Sequence, residues 1–240
     1  MKSIGRFTVV DLKLEEPPYE LNEELKLLRT NLLFCGTDKR VILITSAFSG
    51  EGKSTVTLDL CQTLAELGKN VILIDADLRR SVLKDNVEGA PQGTGLSYYL
   101  SGQCDVDQII CRTTTENLSV VFSGAVPPNP TELLANPRMK ELIDLCRLEY
   151  DYVIIDCPPV GLVVDASVIA PVCDGSLILI ESGEVKYRLA QEVVTKLKLT
   201  GCPILGVVLN KVGHKRNGRY YGKYYGKYYG KKYKNYYTKY

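Results

Sequence analysis

Lys53 and Ser54 stand at the junction between a glycine-containing loop and a run of residues compatible with a helix. With Ala47 and Gly52 they fit the pattern of a phosphate-binding loop, in which Ala47 replaces the usual first glycine. Such a loop wraps a triphosphate with backbone N–H groups, so its side chains must be small, and it leads into a helix N-terminus whose dipole favours an anion. The expected chemistry is nucleotide binding, with Lys53 on the β- and γ-phosphates of ATP and the Ser54 hydroxyl on Mg²⁺.

The segments on either side of this loop support the same interpretation. Val41 to Thr45 is an apolar, β-branched run typical of a parallel strand buried on both faces, and helical periodicity begins at Lys53. The alternative, a chance strand, turn and helix that contains Gly-Lys-Ser, is disfavoured because both flanking elements are present. The residues expected to bind the nucleotide through this loop are Ser49, Gly50, Glu51, Gly52, Lys53, Ser54 and Thr55.

Two carboxylates, Asp75 and Asp77, follow the apolar run from Val71 to Ile74. Side chains two residues apart point the same way in an extended chain, and the carboxyl ends of parallel strands are where open α/β sheets bind ligands. Two carboxylates at that place can hold a hydrated Mg²⁺ and accept a proton, and Arg79 or Arg80 can balance phosphate charge. The alternative is an Asp that ends the strand and caps the next helix.

A third carboxylate, Asp156, ends the apolar run from Tyr152 to Ile155. An acid at this place matches the Walker B position, which holds Mg²⁺ or its water. The pattern is common by itself and gains its weight from the phosphate-binding loop upstream. Asn210 follows the last predicted strand and could bind the adenine edge, or be an Asn tolerated at a strand end.

The elements that must position these residues alternate along the chain. Alternation of this kind predicts an α/β fold of the P-loop NTPase type, a doubly wound and mostly parallel sheet with helices on both faces. Residues 89–117, rich in Gly, Thr and Ser, predict little. Strands are predicted over residues 41–45, 71–74, 118–122, 152–155, 175–180 and 204–209. Helices are predicted from Glu20, over residues 53–67, from Thr131, from Pro137 and over residues 185–199.

Composition narrows the class of protein. The 240 residues suit one domain, and no apolar run reaches the length needed to span a bilayer or resembles a signal-peptide core, so we expect a cytoplasmic protein. The eight cysteines are scattered without a CxxC pair, which favours reduced, buried thiols over disulfides or a zinc site. His214 is the only histidine, which excludes a histidine pair and disfavours a Ser-His-Asp triad.

Charge divides the chain into an acidic body and a basic end. Ten Lys and Arg residues and no acids stand from Lys211 onward, leaving 20 basic against 28 acidic residues before it, a net charge of −8. The last 21 residues contain ten tyrosines, and the unit YYGK occurs three times. Without aliphatic side chains this segment cannot build a core, so we expect it to be disordered. Interleaved basic and aromatic residues also suit single-stranded nucleic acid, and a merely solubilising tail is the third possibility.

The order and spacing of the motifs resemble one family. VILITSAFSGEGKST, VILIDADLRR and YVIIDCPP are similar to the Walker A, Walker A′ and Walker B motifs of bacterial tyrosine kinases, the cytoplasmic kinases of capsule and exopolysaccharide synthesis. PPNPTELLANP and GLSYYLSG also resemble that family, and the similarity runs from about Tyr19 to Tyr240. Phe48 stands where partition and division-site ATPases carry a signature lysine, which argues against those relatives. The absence of a Gly-rich lid, HRD and DFG excludes the eukaryotic kinase fold.

The resemblance implies an ATP- and Mg²⁺-dependent protein-tyrosine kinase that phosphorylates its own tail in trans and regulates polysaccharide synthesis or export. By resemblance the catalytic residues are Lys53, Asp75, Asp77 and Asp156, with Ser54 and the three Asp residues around the metal. Asp75 is the candidate base for the tyrosine proton. The implied phosphoacceptors are Tyr220, Tyr221, Tyr224, Tyr225, Tyr228, Tyr229, Tyr233, Tyr236, Tyr237 and Tyr240. The competing hypothesis is a nucleotide-switched P-loop ATPase whose basic aromatic tail binds nucleic acid, a partner the resemblance does not favour.

Glu23, Lys26 and Arg29 fall on the family's oligomerisation motif, Glu-x-x-Arg-x-x-Arg, with Lys26 in place of the first Arg. A lysine cannot reproduce the bidentate fork of an arginine. The resemblance implies a ring-like homo-oligomer, recruitment to the inner face of the cell membrane by a transmembrane activator, and a cognate tyrosine phosphatase. The predicted division is a kinase domain over residues 1–213, whose first 36 residues form a lead-in and oligomerisation helix, and a tyrosine-rich tail over residues 214–240.

Overall fold

A computed structural model of the chain describes residues 8–12, 17–83, 87 and 89–212. Its centre is an eight-stranded sheet. The strands are β1 (Thr8–Val10), β2 (Val41–Ser46), β3 (Val71–Asp75), β4 (Ile110–Thr113), β5 (Leu118–Val121), β6 (Tyr152–Asp156), β7 (Gly175–Glu181) and β8 (Ile204–Asn210). Their order in the sheet is β1-β4-β5-β3-β6-β2-β7-β8. All neighbouring strands pair in parallel except β4 and β5, which are antiparallel, so β1 and β4 run against the other six.

Helices cover both faces of the sheet because successive side chains of each buried strand point to opposite sides. In β2, Val41 and Leu43 join one apolar core and Ile42 and Ile44 join the other. The second core is closed by the helices over residues 19–34 and 53–66, and the first by the helices from residue 96 onward. The helices are α1 (Tyr19–Phe34), α2 (Lys53–Glu66), α3 (Leu96–Leu100), α4 (Val106–Ile109), α5 (Pro130–Leu134), α6 (Pro137–Glu149), α7 (Asp165–Ile169) and α8 (Tyr187–Lys198).

The predicted doubly wound, mostly parallel fold is confirmed, and the predicted strands lie within a residue of the observed ones. Two strands were not predicted. β1 lies in the segment expected to be a mere lead-in, and β4 lies in the region whose sequence predicted little. Both are short strands at one side of the sheet, where four or fewer residues leave no periodicity to read. The predicted tail and His214 lie outside the described residues.

α1 packs on α2 and leaves a cleft of about 250 Å³ between the two helices. The cleft is lined by Pro17, Asn22, Leu25, Asp59, Gln62, Thr63 and Glu66; it is called the α1–α2 cleft below. Burial raises the pKa of Asp59 to about 7, and burial is the only contribution to that shift, so no described charge or hydrogen bond offsets the cost of its negative form. No helix in the described part of the chain is long and apolar enough to cross a membrane.

Candidate active site

The predicted catalytic and nucleotide-binding residues meet at one edge of the sheet, where β2, β3, β6, β7 and β8 end. The strand register places Asp75 directly beside Asp156, and Glu181 beside Asn210. Between these pairs β2 runs into the phosphate loop, residues 47–54, because β2 lies between β6 and β7. In the sheet, β3 to β6 lie on one side of β2, and β7 and β8 lie on the other. Open α/β sheets bind ligands at the point where the strand order reverses in this way. This part of the sheet is called the carboxyl edge below.

The phosphate loop turns through two glycines in the left-handed region, Gly50 at φ 88° and Gly52 at φ 84°. Residues with a Cβ rarely adopt these angles, which explains why glycine stands at both places. Gly52 is the N-cap of α2, and no described side chain caps that helix end. The helix N-terminus therefore keeps its positive potential for an anion, as the sequence predicted.

Lys53 begins α2 and forms a buried ion pair across the site with Asp156. Its ammonium nitrogen lies 2.5 Å from Oδ1 of Asp156 and 3.2 Å from the Ser54 hydroxyl oxygen. Burial lowers the pKa of Lys53, but the charge of Asp156 and the hydrogen bond between them outweigh burial and raise it. Lys53 is thus held as a cation beside the Walker B carboxylate, and the phosphate-loop motif and the third predicted acid belong to one site.

Asp75 and Asp77 both influence the pKa of Lys53, but they differ in access and in hydrogen bonding. Asp75 is 1% exposed and accepts hydrogen bonds from the Asp77 amide and the Ser81 hydroxyl. Burial and the nearby charge of Asp156 raise its pKa to about 7. Asp77 is partly exposed, and its Oδ1 accepts from the backbone N–H groups of Arg79 and Arg80. Asp77 therefore caps the turn over residues 78–80 and not a helix, in addition to its place at the site.

Arg79 is committed to a structural contact that the sequence did not indicate. Its guanidinium donates to both oxygens of Asp165, at 2.7 and 3.0 Å, and to the Thr131 hydroxyl at 2.8 Å. Burial would raise the pKa of Asp165, but the hydrogen bonds from Arg79 and Thr131 lower it below its ordinary value. This clamp ties the turn after β3 to α5 and α7. No local pattern identifies it, since its three members are far apart in the chain.

Glu51 lies in the phosphate loop but uses its carboxylate inside the protein. It is 3% exposed, and its two oxygens accept from the backbone N–H groups of Phe48, at 2.7 Å, and Glu181, at 3.0 Å. Burial raises its pKa, and the hydrogen bonds only partly counter that effect. Only the backbone of Glu51 therefore remains to face an anion.

Asn210, predicted to lie near the adenine, ends β8 beside the phosphate loop. Its Nδ2 donates to the Glu51 carbonyl at 2.8 Å. The next residue, Lys211, was not predicted as a site residue, and its Nζ lies 2.7 Å from both the Gly50 carbonyl and Oε2 of Glu181. A basic residue directly after a candidate ligand residue at a strand end is the signal that could have singled it out.

Comparison with known proteins shows which family has this arrangement. The family model of an AAA domain matches residues 39–198. The tyrosine-protein kinase CpsD of Streptococcus agalactiae is 41% identical over 207 residues, 86% of this chain and 90% of that protein. The tyrosine-protein kinase YwqD of Bacillus subtilis is 35% identical over 201 residues, 83% of this chain and 84% of that protein. The chain belongs to the bacterial tyrosine-kinase family.

Solved structures give the kinase the same fold. The kinase domain of the Escherichia coli tyrosine kinase ETK matches with a TM-score of 0.77 and 33% identity over 83% of this chain and 78% of that one. The chimeric protein CapA2B2 matches with a TM-score of 0.76 and 31% identity, covering 81% and 86%. The septum site-determining protein MinD of Pyrococcus horikoshii, complexed with Mg-ADP, matches with 0.63 and 29%, covering 74% and 72%. The expected kinase family is confirmed.

The donor set of the kinase fits a magnesium nucleotide. Within residues 8–12, 17–83, 87 and 89–212, no group of three His, Cys, Asp or Glu side chains forms a ready-made metal site. Mg²⁺ at nucleotide sites is held by one or two carboxylates or hydroxyls together with phosphates and water, so a protein cage is not required. The residues that would hold it are Ser54 with Asp77 and Asp156, and the buried Asp75 behind them.

The three predicted oligomerisation residues lie on α1 and make contacts within the kinase itself. Lys26 forms an exposed ion pair with Glu23 at 2.8 Å. The guanidinium of Arg29 donates through Nη1 to the Thr63 carbonyl of α2 at 2.7 Å, while its Nε is buried without a partner among the described residues. Part of this face therefore holds α1 against α2.

Proposed function

We propose that this kinase transfers the γ-phosphoryl group of ATP, with Mg²⁺, to tyrosines of its own tail, acting between neighbouring subunits. The observation that carries the proposal is the pairing of Lys53 with Asp156 at the carboxyl edge, with Asp75 and Asp77 beside them. A phosphate-binding lysine, three carboxylates and a helix N-terminus form the set of groups that phosphoryl transfer requires. The same chain carries ten tyrosines in a basic tail.

Each group of the site has a role that follows from its chemistry. The backbone N–H groups of the phosphate loop and the Lys53 ammonium bind and orient the phosphates and stabilise the charge that develops on them. Mg²⁺, when bound, neutralises phosphate charge. Asp77, which is partly exposed, can contact an entering tyrosine hydroxyl or the metal. Asp75 is buried, so it accepts the tyrosine proton only if the turn after β3 opens or a water relays the proton.

Charge supports delivery of the tail between subunits. The tail follows β8, whose last residue, Asn210, lies at the carboxyl edge. The body carries a net charge of −8 and the segment from Lys211 carries ten basic residues, so an unmodified tail is attracted to the body of a neighbouring copy.

Phosphorylation reverses this attraction. Each phosphotyrosine adds about −1.5 to −2 charges, so about five or six would neutralise the ten basic residues. We infer a cycle in which a ring assembled through Glu23, Lys26 and Arg29 labels itself and then loosens, and a tyrosine phosphatase restores the tail. Recruitment to the inner face of the membrane by a transmembrane activator, and control of capsule or exopolysaccharide synthesis and export, complete the proposal.

Incubation of the full-length protein with Mg-ATP, followed by phosphotyrosine detection and mass mapping, tests the transfer step. The proposal predicts phosphate on tail tyrosines, from Tyr220 to Tyr240, and none when Mg²⁺ is chelated. No phosphotyrosine, together with steeply salt-sensitive binding of single-stranded nucleic acid, would instead favour a nucleotide-switched ATPase.

Size measurements at matched low salt test the cycle. The phosphorylated protein is expected to form smaller assemblies than the unmodified one, in the presence and absence of the activator's cytoplasmic segment. A variant with Phe at the ten tail tyrosines is the control, and it should stay assembled after incubation with Mg-ATP. Identical assembly of the phosphorylated and unmodified forms would contradict the charge-driven account.

A further inference from the structure

The end of β8 holds the phosphate loop by two carbonyl groups. Asn210 Nδ2 donates to the Glu51 carbonyl at 2.8 Å, and Lys211 Nζ donates to the Gly50 carbonyl at 2.7 Å. Lys211 is fixed at the same time by Oε2 of Glu181 at the end of β7, also at 2.7 Å. Two consecutive peptide units of the loop are therefore tied to the neighbouring strands from one side.

Peptide geometry converts these contacts into an orientation of the loop's N–H groups. A trans peptide is planar, and its C=O and N–H bonds point in opposite directions. All peptide bonds of the described loop are trans. Fixing the carbonyl of Gly50 toward Lys211 therefore turns the N–H of Glu51 away from β8, and fixing the carbonyl of Glu51 toward Asn210 turns the N–H of Gly52 the same way. Those two N–H groups belong to the segment that a phosphate-binding loop wraps around its anion.

The loop needs such support because its own sequence gives it little rigidity. Gly50 and Gly52 have the greatest backbone freedom of any residue type to lose on ordering. A Cβ on Gly52 would lie 2.5 Å from Nδ2 of Asn210, so glycine there also makes room for the Asn210 amide. Lys211 itself has φ 56°, a left-handed conformation that residues with a Cβ seldom adopt. Its two hydrogen bonds accompany this conformation and place its ammonium against the loop.

We propose that Asn210 and Lys211 are positioning residues that pre-orient the phosphate loop for the triphosphate of the nucleotide. This inference rests on the proposed function only in that the loop binds a triphosphate. It gives Asn210 a role that does not depend on contact with the adenine, because its amide nitrogen donates to the loop itself. It also gives Lys211 a role within the site rather than in the tail.

A ligand without a base separates the two roles of Asn210. Binding of Mg-ATP and of Mg-tripolyphosphate is measured by competition against a fluorescent ADP, on the full-length wild type and on Asn210→Leu, which keeps the size of the side chain and removes the donor. The account predicts that both dissociation constants rise by a similar factor of about ten, the cost of losing one such hydrogen bond. A loss confined to Mg-ATP would overturn it and assign Asn210 to the adenine.

Lys211 is tested by salt, since its charge alone could attract phosphates. At 1 M salt the Debye length is about 3 Å, so attraction at a distance is screened. The account predicts that at 1 M salt Lys211→Met still binds Mg-tripolyphosphate about tenfold more weakly than the wild type does. Lys211→Arg is expected to restore most of the affinity. A deficit that disappears at 1 M salt, or one that the exposed-site control Lys198→Met shares, would overturn it.

Two further readouts distinguish positioning from a general loss of structure. The first is the melting temperature of Asn210→Leu and of Lys211→Met, compared with that of the surface control Asn31→Leu. The second is the kinetics of the same two variants, in which the KM for ATP is expected to rise far more than kcat falls. Because binding of tripolyphosphate requires no phosphotransfer, a wild type that binds it but leaves its tail unlabelled would contradict the proposed function alone. A wild type that labels its tail while Asn210→Leu binds both ligands normally would contradict the positioning role alone.

Discussion

The two ends of α2 handle polar groups in opposite ways. At its N-terminus, Lys53 is paired with Asp156, the Glu51 carboxylate accepts two backbone N–H groups, and the carbonyls of Gly50 and Glu51 are both bound. Farther along the helix, Asp59 is only partly exposed and no described group offsets the cost of its burial, and the Nε of Arg29, on the facing helix, has no described partner. One helix thus connects a region whose buried side chains are paired with an under-satisfied one.

This difference indicates different tasks for the two regions. Satisfied buried polar groups hold a site in one geometry, which is what binding and catalysis require. Unsatisfied groups cost free energy and can regain it only through a new partner or a change in protonation. The N-terminal end of α2 is therefore expected to respond to substitution mainly through activity, and the α1–α2 cleft mainly through stability and assembly.

The largest expected effect is on activity, at Lys53. Lys53→Met removes the cation nearest the phosphates, and tail labelling is expected to fall by at least about 100-fold. The variant should remain folded but less stable, because Asp156 keeps a buried charge without its partner, a loss of up to about 3–5 kcal/mol. Initial rates of phosphotyrosine formation and urea denaturation measure the two quantities.

A second variant separates these two effects of Lys53. In Lys53→Met with Asp156→Asn, the unpaired charge is gone, so most of the stability should return while labelling stays absent. Wild-type rates in the folded single variant would remove Lys53 from the catalytic groups, and a double variant no more stable than the single one would show that the pair is not coupled.

Substitution of the carboxylates should change the metal requirement next most strongly. Asp77→Asn and Asp156→Asn each replace a charged oxygen ligand by a neutral one, so the Mg²⁺ concentration for half-maximal labelling is expected to rise about tenfold or more. Binding of ATP should change less. Asp144→Asn, on the exposed face of α6, is the matched control and should leave the Mg²⁺ titration unchanged. Unaltered titrations for both site variants would exclude them as metal ligands.

The sequence predicted the parts of this site that local patterns encode. The strands β2, β3 and β6 are buried on both faces, so their sequences are continuous apolar runs. The phosphate loop and the site carboxylates stand at or directly after the ends of these runs. The contact between Lys53 and Asp156 follows from two such motifs. The hydrogen bond from Lys211 to Gly50 joins residues far apart in the chain, and the clamp of Arg79, Asp165 and Thr131 does the same, so neither leaves a local signal.

At the other end of α2, substitution of Arg29 and substitution of Lys26 should separate effects on folding stability from effects on assembly. Arg29→Ala removes the hydrogen bond to the Thr63 carbonyl, so the free energy of unfolding should fall by about 1–2 kcal/mol. Lys26→Ala removes only an exposed pair with Glu23 and should change it by less than about 0.5 kcal/mol. Denaturation curves and sedimentation of both variants provide the test. Equal stability for the two would mean that Arg29 does not hold α1 on α2.

The smallest effect is a pH-dependent gain at Asp59. The pKa of this carboxyl is raised, so its contribution favours the folded state below the unfolded value near 4 and is lost as the pH rises through about 7. Asp59→Asn is therefore expected to raise the free energy of unfolding by about 1–2 kcal/mol at pH 8, a value discounted for partial exposure, and by little at pH 4.5. Glu66→Gln, in the same cleft, is the control, and an equal gain at both pH values would contradict this interpretation.

Mixing two complementary variants tests the central claim most directly. Lys53→Met supplies intact tail tyrosines without activity, and a chain with Phe at its ten tail tyrosines supplies activity without acceptors. With Mg-ATP, the account predicts phosphotyrosine on the tail of the Lys53→Met chain in the mixture and none on either variant alone. An unlabelled mixture, under conditions in which the wild type labels itself, would contradict transfer between subunits.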